Sequence, residues 1–298
     1  MENYTRTDLA YESMQAASTS FDFARICKEE KKDGFDITRL CVSEDAHSTL
    51  LGKPRGNYVT VFCGEMHLLD DDATEKLAGV LAEEIRTMCH SLCGRKPDRD
   101  FSVLVAGLGN EDITADAIGP RAVRKITATR HLRRLDSKLY DMVEKSEISA
   151  LFTGVLGQTG IETVELVRGA AENVRPDLVL AIDALAARGV ERLATTVQLC
   201  DSGISPGSGV GNARKAIDRQ TVGVPVISLG VPTVVESSTL VYDALSRAGI
   251  GEVSEPLREV LENGRRFFVA PKESDTITEK VSALVSMAVD RAFDVGEK

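Results

Sequence analysis

One stretch constrains the fold more than any other: residues 101–123, FSVLVAGLGNEDITADAIGPRAV. Residues 101–106 form a short apolar run rich in Val and Leu, the pattern of a strand buried on both faces. Gly107 and Gly109 then allow a sharp turn at the strand's carboxyl end. Asp116 follows, just ahead of Ala117-Ile118, where a helix can begin. In open parallel sheets, ligands and chemistry collect at that edge. A second stretch, PDLVLAIDALAA at 176–187, puts Asp183 at the end of another buried strand. The expectation is that Asp116 and Asp183 face each other across one cleft.

The rest of the chain alternates in the same way. Residues 35–42 and 57–63 have strand character, with a loop at 47–57 that holds Gly52, Pro54 and Gly56. Residues 70–93 read as a long amphipathic helix, with Leu77, Val80, Leu81, Ile85 and Met88 at helical spacing and Asp70-Asp71-Asp72 suited to its N-terminal dipole. Residues 121–145 read as helical and charged. The basic run at 130–134 is a solvated face or, since it is close in sequence to Asp116, a substrate contact. Strands are expected at 148–156, 178–182, 195–199 and 224–229, and helices at 161–174, 234–248 and 276–293, with a Gly-rich loop at 201–215. Such alternation implies an α/β fold: a three-layer α/β/α sandwich around a parallel or mixed sheet. No Pro- or Ser-rich linker divides residues 1–298, so a single domain is expected. Residues 1–20 are polar and lack periodicity, which suggests an extended or mobile arm.

Composition narrows the function. A net charge of −10 disfavours nucleic acid as a direct ligand, because phosphate binding needs a basic surface. There is no run of 18 apolar residues and no N-terminal apolar signal, so neither a membrane span nor secretion is expected, and the location is expected to be cytoplasmic. Cys27, Cys41, Cys63, Cys89, Cys93 and Cys200 are scattered and read as reduced thiols. Cys89 and Cys93 share a helix but bring no second pair of ligands, so no metal is expected. No cofactor is expected either.

The glycine motifs have specific readings. Gly107-Leu108-Gly109 opens like a dinucleotide fingerprint, but Asp112 occupies the third glycine position, and Glu111 and Asp112 would repel a pyrophosphate. Gly203-Ile204-Ser205-Pro206-Gly207 matches the G-x-S-x-G pattern of serine hydrolases, yet Pro206 has no N–H to give an oxyanion. Residues 207–212 lack the Gly-Lys-Ser/Thr ending of a P-loop. They fit a flexible loop or one that receives an extended substrate. The candidate peptide-binding groups are Gly157, Thr159 and Gly160 in one turn, and Ser205, Gly207, Ser208, Gly209, Gly211 and Asn212 in the loop. Singly, Asp116 could be a helix N-cap and Asp183 a strand-end residue bonded to nearby N–H groups. Together they can divide acid and base work, one ionised to activate water and the other protonated to polarise a carbonyl.

At this level the residues become recognisable. GLGNEDITADAIGP, TRHL (129–132), GQTGIET (157–163), PDLVLAIDALAAR (176–188), ERLATTVQLCDSGISPGSGVGN (191–212) and GVPVISLGVPTVV (223–235) closely resemble the germination protease family of spore-forming bacteria. The likeness extends to Arg6-Thr7-Asp8-Leu9-Ala10 and to the strand entry at 56–59. The resemblance implies an endopeptidase that degrades small acid-soluble spore proteins during germination, acting in the spore core or forespore. It implies catalytic aspartates at Asp116 and Asp183 and a fold like that of hydrogenase-maturation endopeptidases, of the phosphorylase/hydrolase-like kind. It also implies a homotetramer, made as a zymogen that processes itself between Asp8 and Leu9, so that residues 1–8 would be a propeptide and 9–20 a mobile arm. The chain departs from the family in two places. Residues 249–272 are compact where many members are longer, and Phe152-Thr153-Gly154 replaces the usual Val-Pro-Gly.

Two rivals remain open. A metal-dependent maturation-type peptidase of the same fold would need an acid and a histidine at the cleft; by sequence only His131 is placed to try, and Ala117 follows Asp116. A non-catalytic protein could use the Gly-rich loops to hold a small ligand.

Overall fold

The computed structural model describes residues 6–18, 21–210, 214–250, 253–263 and 267–296. Its strands are β1 (Cys27–Lys32), β2 (Phe35–Val42), β3 (Gly56–Phe62), β4 (Ser102–Gly107), β5 (Glu147–Phe152), β6 (Leu178–Ala187), β7 (Thr196–Cys200), β8 (Val226–Glu236) and β9 (Phe268–Val269). Its helices are α1 (Ala10–Ala17), α2 (Asp45–Leu51), α3 (Asp71–Cys93), α4 (Ile118–Val123), α5 (Arg130–Leu135), α6 (Ser137–Met142), α7 (Leu156–Thr159), α8 (Thr163–Val174), α9 (Arg219–Val222), α10 (Ser237–Arg247), α11 (Glu255–Asn263) and α12 (Ser274–Ala292).

The strands form one 9-stranded mixed sheet in the order β1-β2-β3-β7-β8-β6-β4-β5, with β9 added to the end of β8. β5, β4, β6 and β8 run parallel, while β7, β3, β2 and β1 continue the sheet antiparallel. β4 and β6 lie inside the sheet, as their uninterrupted apolar runs require. Alternate side chains feed two layers. Leu178, Leu180 and Ile182 of β6 join α3, α4 and α12 on one face, in the largest apolar cluster. Val179 and Ala181 join Val164, Val167 and Ala171 of α8 on the other. On that second face, near the other end of the sheet, Ala10 and Met14 of α1 pack with Leu40, Val42 and Tyr58. The fold is therefore the expected α/β sandwich.

The N-terminal segment differs from expectation. Residues 10–17 are helical, and Leu9 and Ala10 are fully buried, so this part of 9–20 is not a mobile arm. Ala10 and Met14, spaced i and i+4, supply just enough apolar surface to dock, a signal too short to register as a period. Buried Glu12 is satisfied by the N–H groups of Arg188 and Gly189. Other departures are local. β1 is the charged run CKEEKK, an edge strand without apolar alternation. The loop at 47–57 includes the end of α2, and the helical stretch at 121–145 is broken into α4, α5 and α6. β8 continues to Glu236, so α10 starts at Ser237 rather than at 234.

Candidate active site

β4 ends at Gly107, where its pairing with β6 ends at Ile182. The chain then turns through Gly109, whose φ is +115°. A Cβ on Gly109 would fall 2.1 Å from the Asp116 carbonyl oxygen, so only glycine fits. The turn carries Asp116 at the end of a single 3-10 turn, Thr114–Asp116, immediately before α4. It is braced from outside: Thr233 donates to Ala115 O at 2.6 Å, and Thr278 of α12 donates to Thr114 O at 2.9 Å. Asp116 is half-buried, and its Oδ2 accepts the Asn110 N–H at 2.7 Å. Burial pushes its carboxyl up to about 6, against the pull of that N–H.

β6 runs past the end of β4, and Asp183 is the first residue beyond the last β4 pair. Following the alternation, its side chain points to the second face, in the gap between the α8 cluster and the α1 cluster. It is 5% exposed and accepts the Ala184 N–H at 2.9 Å. Burial raises its carboxyl well above the carboxylate range, and the charges of Asp116 and Asp8 raise it further. Asp116 and Asp183 line one cavity of about 410 Å³. A second cavity of about 310 Å³ also reaches Asp183 and is lined by Lys53, Gln198, Cys200 and Ser208.

Asp8 lines both cavities. Because β6 outruns β4, one edge of its last residues is free for another strand. Asp8 uses it: its N–H donates to Ala186 O at 2.8 Å, and its Oδ2 accepts the Ala186 N–H at 2.9 Å. Ser208 donates to the other carboxylate oxygen at 2.6 Å. Lys53 donates to the Thr7 carbonyl at 2.8 Å, with its ammonium held below the ordinary lysine range chiefly by burial. Leu9 packs with Leu185, Ala187 and Val235. The N-terminal segment thus enters the aspartate cleft along the free edge of β6, held by one backbone bond and the Asp8 carboxylate, before α1 begins.

The other sequence candidates are divided. Gly157 lines the larger cavity, Ser205 and Ser208 line the smaller, and Gly207 lines both. Gly209 packs against the Asp8 carboxylate. Thr159 and Gly160 line neither cavity: the Thr159 hydroxyl bonds within its own turn, and Gly160 caps α7 in the left-handed conformation. Gly211 and Asn212 lie outside the described residues. His131 is exposed on α5 and lines neither cavity. Among the described residues, no group of three or more His, Cys, Asp or Glu side chains is arranged to hold a metal ion, and no helix is long and apolar enough to cross a membrane. Sequence reasoning missed Gln198 and Lys53. Gln198 had a signal, a large polar side chain in the buried run TTVQLC; Lys53 in a Gly/Pro loop had none.

Comparison with known proteins agrees with the sequence resemblance. Residues 6–249 match the sequence profile of the germination protease family. The germination protease of Caldanaerobacter subterraneus subsp. tengcongensis is 38% identical, over 98% of this chain and 94% of its own. That of Bacillus subtilis is 42% identical over 80% of this chain and 66% of its own, and that of Clostridium acetobutylicum 35% identical over 98% and 95%. Among solved structures, a NiFe hydrogenase maturation protease, HycI, from Thermococcus kodakarensis aligns at a TM-score of 0.34 and 16% identity, covering 63% of this chain and 92% of its own. The chain belongs to the germination protease family and is a spore-germination endopeptidase.

Proposed function

We propose that this peptidase works through the pair Asp116 and Asp183, and that its first substrate is its own chain, cut between Asp8 and Leu9. The observation that carries this reading is the seating of Asp8 in the cavity that both aspartates line. The environments of the two carboxyls suggest their roles. Each accepts one backbone N–H, but Asp183 is more deeply buried and faces two other carboxylates, so it holds the proton; Asp116, more open to solvent, ionises first. In the reaction, ionised Asp116 takes a proton from water, whose oxygen bonds to the carbonyl carbon. Protonated Asp183 hydrogen-bonds the carbonyl oxygen as negative charge gathers there. The C–N bond then breaks, and the proton held by Asp116 passes to the departing nitrogen.

The finer assignments follow the family resemblance: zymogen synthesis, small acid-soluble spore proteins as substrates, and a homotetramer. The seating of residues 7 and 8 through backbone groups favours substrates that are unstructured when cut, because a folded protein cannot offer such a strand. Highly exposed Leu135 and Met142, at the ends of α5 and α6, are consistent with a subunit contact. Intact-mass analysis of the full chain at mildly acidic pH tests the reading. Loss of residues 1–8 from the wild type, but not from Asp116→Asn or Asp183→Asn, supports it. Full activity on a spore protein with residue 1 still in place removes the self-processing role.

A further inference from the structure

Gln198 sits at the centre of β7 with 7% of its surface exposed, and its amide grips the N-terminal segment on both sides of Leu9. Nε2 donates to the Asp8 carbonyl oxygen at 3.2 Å, and Oε1 accepts the Ala10 N–H at 2.7 Å. A primary amide offers a donor and an acceptor side by side, so it serves both backbone groups at once, as a neighbouring strand would. The sheet register fixes its position relative to Asp183. Asp183 pairs with Gly230 of β8, and Gly230 pairs with Gln198 of β7. These residues form one row, so their side chains rise from the same face, about 10 Å apart at Cα from two strand spacings. Gly230 has no side chain to stand between them, and a Cβ there would come within 2.5 Å of Leu185. The Leu185 side chain therefore covers the backbone between the acid and the amide, and the carbonyl of Asp8 lies on the amide side of it.

Resting on the reading that the bond between Asp8 and Leu9 is the one cut, we infer that Gln198 is a further catalytic residue, the second donor to the carbonyl oxygen of the scissile bond. Its N–H stabilises the charge that oxygen acquires, from the β7 side of the scissile bond. Its Oε1 meanwhile holds the N–H two residues beyond the cut, which fixes the bond's register over the aspartates. Lys53, on the Thr7 carbonyl, sets the residue before. Gln198 and Lys53 are available in the same way to any unstructured chain that replaces residues 7–10, because both bond only backbone groups there.

The test follows two rates at pH 7: self-cleavage of the full chain, and kcat and KM on an unstructured spore protein. Gln198→Met removes both contacts, and both rates should fall by about 10²- to 10³-fold, the usual loss for one oxyanion donor, with KM changed much less. Gln198→Glu keeps the shape and the acceptor but loses the donor; it should show the same fall in kcat with KM near that of the wild type. A folded variant of either kind, melting close to the wild type, with kcat within about threefold of it would overturn the assignment. Asp183→Asn, run alongside, separates the two ideas. If it is inactive while Gln198→Met is fully active, only the role of Gln198 fails. If Asp183→Asn is itself fully active, the aspartate reading fails and this inference goes with it.

Discussion

Asp116 and Asp183 are the same residue type in opposite settings. Asp116 ends a tight turn at the mouth of the sheet, where it is only half-buried and its charge is favoured by solvent as well as by a backbone N–H. Asp183 is part of β6 itself, 5% exposed and facing the charges of Asp116 and Asp8. The turn can be adjusted by its braces, whereas the strand position is fixed by ladder bonds to β8. The contrast shows how one fold obtains a base and an acid from two identical side chains: it places one in the turn beyond β4 and the other within β6.

The comparison is broken most severely by removing either carboxyl. Asp183→Asn and Asp116→Asn should each lower kcat by about 10³-fold or more, since a catalytic acid or base contributes roughly 10²- to 10⁴-fold and the two act as a unit. Steady-state cleavage of an unstructured substrate measures this. Gly109→Ala attacks only the turn side. The positive φ costs a side chain roughly 1–3 kcal/mol, and the Cβ displaces Asp116, so activity should drop about 100-fold while thermal melting shows the sheet still folded. The pH profile sharpens the contrast further. With Asp116 as base, kcat/KM should fall about tenfold per unit below its carboxyl value near 6. It should fall again at high pH, where Asp183 loses its proton.

The smallest effect is on stability. Both carboxyls bind protons more tightly when folded than when unfolded, so the folded state is favoured most below the ordinary aspartate range. It loses that advantage as pH rises, through about 6 for Asp116 and higher for Asp183. Asp183→Asn should therefore melt higher than the wild type at pH 8, by about 2–4 °C for each kcal/mol relieved. The gap should close as pH falls towards 4. Calorimetry at the two pH values checks it.

Legibility followed the length and purity of each signal. β4 and β6 were readable because buried parallel strands are apolar throughout; Asp183 stood out as the charge inside one such run and Asp116 as an acid in the Gly-rich turn after the other. β1 was not readable, because an exposed edge strand needs no apolar side. α1 was hidden because docking relies on few side chains and on Glu12, whose partners lie some 176 residues away. The clasp on residues 7–10 is equally non-local: Gln198, Ala186, Ser208 and Lys53 meet only once the sheet has formed.

The division of labour between the aspartates can be observed directly. Isotope-edited infrared spectroscopy of the chain labelled at its aspartate carboxyls reports which are protonated at pH 7. The account predicts a protonated carboxyl in the wild type that persists in Asp116→Asn and disappears in Asp183→Asn. A band lost in Asp116→Asn but kept in Asp183→Asn, or no protonated aspartate at all, would contradict it.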